Sequence, residues 1–207
     1  MKNEMTQLVA GFLWETGAIK ISVDKPFQMT SGKFSPFYID CRLLISFPIQ
    51  RDIITLYAQW VCEENRVEAD YLAGGETAGI PFAAWLAEKT GKPFVYVRKS
   101  PKGHGLTSQI EGKTEPGKTV LLYEDLITDG KSKLNFISGI RQAGCGVEHC
   151  LVILDRQEGG ARLLADQGVQ LHALLTIDNC FDVGLKNGFL SARDMDIING
   201  YREKRPS

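Results

Sequence analysis

Surplus charge is the first thing this chain lacks: 24 Lys and Arg stand against 25 Asp and Glu, for a net charge of -1. With no broad positive field to coat a polynucleotide, a nucleic-acid partner is not expected. Long hydrophobic runs are missing too. None approaches the roughly 20 apolar residues that a bilayer-spanning helix needs. The first 23 residues carry charges throughout and show no apolar stretch closed by small residues, so neither a membrane span nor a signal peptide is expected. Cysteine is sparse. The five (Cys41, Cys62, Cys145, Cys150, Cys180) are odd in number and form no CxxC pair. That argues against a disulfide framework or a zinc site and suits free thiols in a reducing, cytoplasmic setting. Repeats, low-complexity tracts and an interdomain linker are also absent. The remainder is 43% hydrophobic over 207 residues, enough for one domain with a substantial core.

What is present is a rhythm. Residues 5–15 have helical spacing, with Leu8, Phe12 and Leu13 on one face and Gly17 as the stop. Short strand-like stretches follow at 19–23, 27–29 and 37–41, the last two separated by the turn-rich TSGKFSP, and 50–65 returns to helical spacing. Then strands alternate with helices: YLAGG, IPFAAWLAEKTG, PFVYV, TVLLY, KSKLNFISGIRQAG, VEHCLVIL, GGARLLADQG, VQLHALL. The strand-like runs are apolar without polar alternation, as in strands covered on both faces. This order predicts an α/β chain: a doubly wound, mostly parallel sheet with helices on both faces. The whole chain reads as a single domain, with a small N-terminal hood over about residues 1–45 and a core over about 46–180. Ligands of such sheets bind beyond the carboxyl ends of the strands. The loops GGETAG, RKSPKGHG, EDLITDGKS and DRQEGG all follow a strand.

One motif misleads. GKTEPGKT, residues 112–119, has the spacing of a nucleotide-triphosphate loop. That mechanism needs the loop to follow a strand and open a helix, so that helix-terminal amides meet phosphates. Here it precedes a strand, and EPGK reads as a tight turn. The triphosphatase reading is rejected.

EDLITDGKS, residues 124–132, places two adjacent carboxylates at a strand end, then a Thr-Asp-Gly turn and a helix start. Alone it reads equally well as helix-start charges and a turn. The functional reading is more constrained. Paired carboxylates accept hydrogen bonds from the vicinal hydroxyls of a ribose, and Thr128 to Ser132 offer hydroxyls and consecutive amides where a helix start favours phosphate. That combination describes a ribose-phosphate cradle. His149 and His172, inside apolar strands, read as packing residues.

The stretch resembles the phosphoribosyl-diphosphate (PRPP) motif of the type I phosphoribosyltransferases: apolar strand, two acids, two apolar residues, Thr, then a small-residue loop. SGKFSPFYID, AGGETAGIPFAAWLA, VYVRKSPKGHG and LDRQEGG accompany it in order. Together, over about residues 12–160, the five resemble the orotate phosphoribosyltransferases. The resemblance implies the type I phosphoribosyltransferase fold and a transfer reaction of pyrimidine synthesis: orotate and PRPP give orotidine 5'-monophosphate and pyrophosphate. It implies Mg2+, held mainly through PRPP with Asp125 as a further ligand, and a homodimer whose loop 98–110 reaches the neighbouring subunit. Catalysis would fall to Lys102, Arg98, His104 and Asp125. PRPP would be bound by Arg98, Lys99, Lys102 and His104 and by the run Glu124, Asp125, Leu126, Ile127, Thr128, Asp129, Gly130, Lys131 and Ser132. Orotate would meet Thr128 and Arg156, and the backbone of Tyr38 and Ile39 would frame its ring.

The residue types suit that chemistry. As pyrophosphate leaves, it gains charge that needs a metal and several cations in a site closed to water. RKSPKGHG carries four such cations, although a charged loop by itself is more often only solvated. A guanidinium suits orotate's carboxylate, and the small residues of GGETAG let amides approach pyrophosphate. The chain also departs from the family. Thr30 stands where some members carry lysine, Thr77-Ala78 where others have Tyr-Lys, and Asp129 and Lys131 where small residues are usual. Asp129 would repel a phosphate unless it turns outward or faces the metal, and Lys131 would partly offset it. Two rivals remain: a purine phosphoribosyltransferase, whose base has no carboxylate for Arg156, and a non-catalytic PRPP-sensing regulator.

Overall fold

The structure, a computed structural model, describes residues 2–29, 32, 34–101 and 108–204. In chain order the elements begin with α1 (Lys2–Glu15), β1 (Ile19–Ile21), β2 (Phe27–Gln28), β3 (Phe34–Ser35) and β4 (Phe37–Ile39). A 3-10 turn (Cys41–Ser46) leads to α2 (Pro48–Glu64), β5 (Tyr71–Gly75), α3 (Gly79–Thr90), β6 (Phe94–Val97) and β7 (Ile110–Glu111). Then come β8 (Thr119–Ile127), α4 (Lys131–Gln142), β9 (Gly146–Asp155), α5 (Gly160–Ala165), β10 (Gln170–Thr176), α6 (Ile177–Lys186) and α7 (Ala192–Glu203). No helix among the described residues is long and apolar enough to cross a membrane.

The chain divides into two compact units. One, Asp52–Leu174, is built on the six-stranded sheet, ordered β10-β9-β8-β5-β6-β7. The pairs β5–β6, β5–β8 and β8–β9 are parallel, and the short β7 adds antiparallel to β6. The expected α/β fold with a mostly parallel sheet is thus present. Val120, Leu121, Leu122 and Tyr123 are consecutive and all buried, which requires cover on both faces of β8. Each such side chain contributes roughly 1.5–3 kcal/mol by leaving water. Helix α3 ends where Gly91 turns left-handed (φ 66°) and its amide donates to the Ala87 and Glu88 carbonyls.

Register places the site. Gly74 pairs with Tyr123, Gly75 with Val97, and Ile127 with Asp155. The carboxyl ends of β5, β6, β8 and β9 therefore lie along one edge, and all four motif loops leave from it.

The other unit gathers both termini, Met1–Arg51 and Leu175–Ser207. The Trp14 indole donates to the Cys180 carbonyl at 2.8 Å, and Phe37 meets Phe181 and Tyr201 edge to face. Thr176 opens α6 with a capping box completed by Asn179. Periodicity placed Leu8 on the buried face of α1. It is 43% exposed, and Val9, Ala10, Phe12 and Leu13 are buried instead. The two hairpins β1–β4 and β2–β3 belong to this unit, with Tyr38 and Ile39 on β4.

Candidate active site

Strand β8 runs four residues beyond the apolar TVLLY, so Glu124 and Asp125 lie inside its last turns of pleat rather than past its end. Neighbours in a strand point to opposite faces. The two acids are therefore separated, not set side by side. Glu124 turns inward and is 4% exposed. One of its oxygens accepts the Gly75 amide at 2.8 Å, and the other lies 3.0 Å from the Lys133 ammonium. Burial pushes this carboxyl up, to about 7, against the pull of Lys133, while Asp125 adds repulsion. For Lys133, burial alone would depress the ammonium, but the charges of Glu124 and Asp125 outweigh it and raise its pKa. Asp125, on the opposite face of β8, is half-buried.

The turn that follows β8 has a tightly constrained backbone. Gly130 adopts a left-handed φ of 80° and caps α4. A Cβ there would come within 3.2 Å of the Gly160 Cα, so the position suits glycine twice over. The Ile127 carbonyl accepts the Arg156 amide and the Thr128 carbonyl accepts the Gly160 amide, both at 3.0 Å. These two bonds hold the DRQEGG loop against the turn. Asp129 neither faces the core nor stands apart. Its carboxylate takes the Lys131 amide at 3.2 Å and the Lys131 ammonium at 3.2 Å, both at the surface. Slight burial pushes its carboxyl up, yet these Lys131 contacts outweigh it and hold the group below its ordinary value. Lys131 thus offsets Asp129 directly. Ser132 is exposed at the helix start.

Arg156, 4% exposed, has its guanidinium 2.9 Å from a Glu158 oxygen. The base of the cationic loop is also anchored. Arg98 joins Glu111 at 3.4 Å, the Lys99 amide donates to Glu76 at 2.9 Å, and Asn135 donates to the Lys99 carbonyl at 2.8 Å. The Glu76–Thr77 peptide is cis. Lys102 and His104 lie outside the described residues, as does Thr30.

This edge thus carries an acid, an amide-rich turn, a buried guanidinium and a cation-bearing loop. The chain is similar to known proteins. The phosphoribosyl transferase domain family matches residues 47–185. An orotate phosphoribosyltransferase of Sinorhizobium medicae is 42% identical over 204 residues, covering 97% of this chain and 88% of that protein. One of Ruegeria sp. is 48% identical over 178 residues, covering 84% and 79%.

The chain belongs to the orotate phosphoribosyltransferase family.

The solved orotate phosphoribosyltransferase of Aeropyrum pernix is similar at a TM-score of 0.76 and 33% identity, over 88% of this chain and 99% of that one. Lys133 was not among the residues singled out from the sequence. Its signal was available. Lys133, Phe136, Ile137 and Ile140 fall at helical spacing, so a lysine occupies the face of α4 whose other members are apolar and buried. Glu76 and Asn135, which grip the Lys99 backbone, left no such trace. Among the described residues no group of three or more His, Cys, Asp or Glu converges on a metal position. The donor chemistry still fits Mg2+, which commonly takes one or two carboxylates and completes its shell with water and substrate phosphates. Asp125, partly exposed near the carboxyl end of β8, is a carboxylate that could serve in that way.

Proposed function

We propose that this chain transfers the 5-phosphoribosyl group from PRPP to orotate, releasing pyrophosphate and forming orotidine 5'-monophosphate for pyrimidine synthesis. The observation that carries this is the buried Arg156, whose loop is tied by backbone hydrogen bonds to Ile127 and Thr128 at the phosphate turn. A guanidinium held beside a ribose-phosphate seat selects a base that bears a carboxylate.

In this reading the amides and hydroxyls of Thr128 to Ser132 seat the 5-phosphate, and Asp125 accepts from the ribose hydroxyls. Arg156 and Thr128 hold orotate with its ring nitrogen toward the anomeric carbon. That nitrogen forms its bond to carbon as the carbon–oxygen bond to pyrophosphate breaks, through an oxocarbenium-like state. Arg98, Lys99, Lys102 and His104 gather around the departing pyrophosphate, and Lys102 and His104 neutralise or protonate it. Mg2+, when bound by the diphosphate and Asp125, supplies further charge neutralisation there. The GGETAG amides complete the diphosphate seat. We place the active unit in the cytoplasm as a homodimer, with loop 98–110 serving the neighbouring subunit.

The test is spectrophotometric loss of orotate on adding PRPP and Mg2+, with adenine and hypoxanthine as competitors. Orotate loss that the purines do not suppress is the expected result. Consumption of a purine instead would make the chain a purine phosphoribosyltransferase. PRPP uptake without turnover of any base would make it a sensor.

A further inference from the structure

We infer that Lys133 is a positioning residue for PRPP: paired with Glu124, it sets the spacing between the diphosphate loop and the phosphate turn. This rests on the transferase reading above. The geometry is specific. Lys133 Nζ lies 3.0 Å from one Glu124 oxygen, and the two side chains are 7% and 5% exposed. The other Glu124 oxygen accepts the Gly75 amide at 2.8 Å, at the carboxyl end of β5. A Cβ on Gly75 would come within 2.6 Å of that same oxygen, and one on Gly79 would fall upon it. One carboxylate therefore touches both ends of the GGETAG loop, while its partner stands in the first turn of α4, directly after the phosphate turn.

Stability alone does not account for this pair. Two charges withdrawn from water recover little over a well-packed apolar pair, whereas loss of either partner strands the other. Lys133 also sits on the apolar face of α4 beside Phe136 and Ile137, where a leucine would pack at lower cost. What a leucine would not do is reach across and hold an acid against the β5 loop. With the pair intact, the seats for ribose, 5-phosphate and diphosphate are locked to one another. Without it, α4 and the loop are free to drift apart, and a ligand that bridges them is held less well.

The experiment compares wild type, Lys133→Met and the double variant Glu124→Gln, Lys133→Met by thermal melting, by calorimetric titration with PRPP and Mg2+, and by steady-state kinetics. Lys133→Met should weaken PRPP uptake roughly tenfold or more while leaving the orotate KM within about twofold. It should also lower the melting temperature by several degrees, because Glu124 loses its counter-charge. The double variant, with two neutral groups of similar size, should recover melting temperature without recovering PRPP affinity. Recovery of both would make the pair purely structural and overturn the inference. Undiminished PRPP uptake by Lys133→Met, with wild type active, would overturn it alone. A wild type that neither binds PRPP nor consumes orotate would take the transferase reading down as well.

Discussion

Arg156 keeps nearly all of its surface inside the protein, and a Glu158 oxygen lies 2.9 Å from one terminal nitrogen of its guanidinium. A residue so placed has lost its freedom to wander, and a carboxylate that approaches it meets a fixed fork rather than a mobile point charge. The prediction at this scale concerns geometry, not charge. Arg156→Lys keeps the positive charge but removes the planar pair of donors, and should raise the orotate KM by about 10-fold or more, as loss of a charge-assisted hydrogen bond worth roughly 1.5–3 kcal/mol requires. The PRPP KM should move little. Steady-state kinetics on both substrates decides it, and an unaltered orotate KM would remove Arg156 from base recognition.

Among the elements, α3 crosses β8 closely. A Cβ on Gly79 would strike Glu124 and lie 2.7 Å from the Tyr123 carbonyl, and a strand carbonyl in a ladder has no room to yield. Gly79→Ala should therefore cost roughly 1–3 kcal/mol as overpacking and appear as a fall of several degrees in melting temperature. A melt unchanged from wild type would show that α3 can ride outward. A second element-level prediction belongs to β9 and β10, where His172 Nε2 faces His149 Nδ1 at 3.1 Å. Burial, and then the neighbouring His149, lower the His172 pKa below its ordinary 6.5. Between that lowered value and 6.5 the unfolded chain binds the extra proton, so stability rises with pH across this window. The contribution is complete above 6.5 and is lost as pH falls. Melting followed from about pH 5 to about pH 7.5 should climb more steeply in wild type than in His172→Gln. Equal slopes would assign the climb to other groups.

At the scale of the whole molecule the proposal is an enzyme whose subunits share their sites. If loop 98–110 serves its neighbour, a mixture of the inactive variants Lys102→Ala and Asp125→Asn contains heterodimers with one intact site. Random exchange makes half the dimers mixed, so about a quarter of wild-type activity should return. No return, with exchange demonstrated by mass, would place the loop in its own subunit. What the sequence by itself determined was everything carried by local pattern. The alternation of buried strands with punctuated helices was readable because strand and helix periods are local, and the order of five loop motifs was readable because each is a short run. Only the tertiary structure decided which way the two adjacent acids face. Alternation makes them diverge, but it takes Gly75 and Lys133, 49 and 9 residues away, to say which one is sealed inside. It also decided that the two termini form one unit. Trp14 and Cys180 are 166 positions apart, and a contact at that distance leaves no period, turn or cap in the chain to announce it.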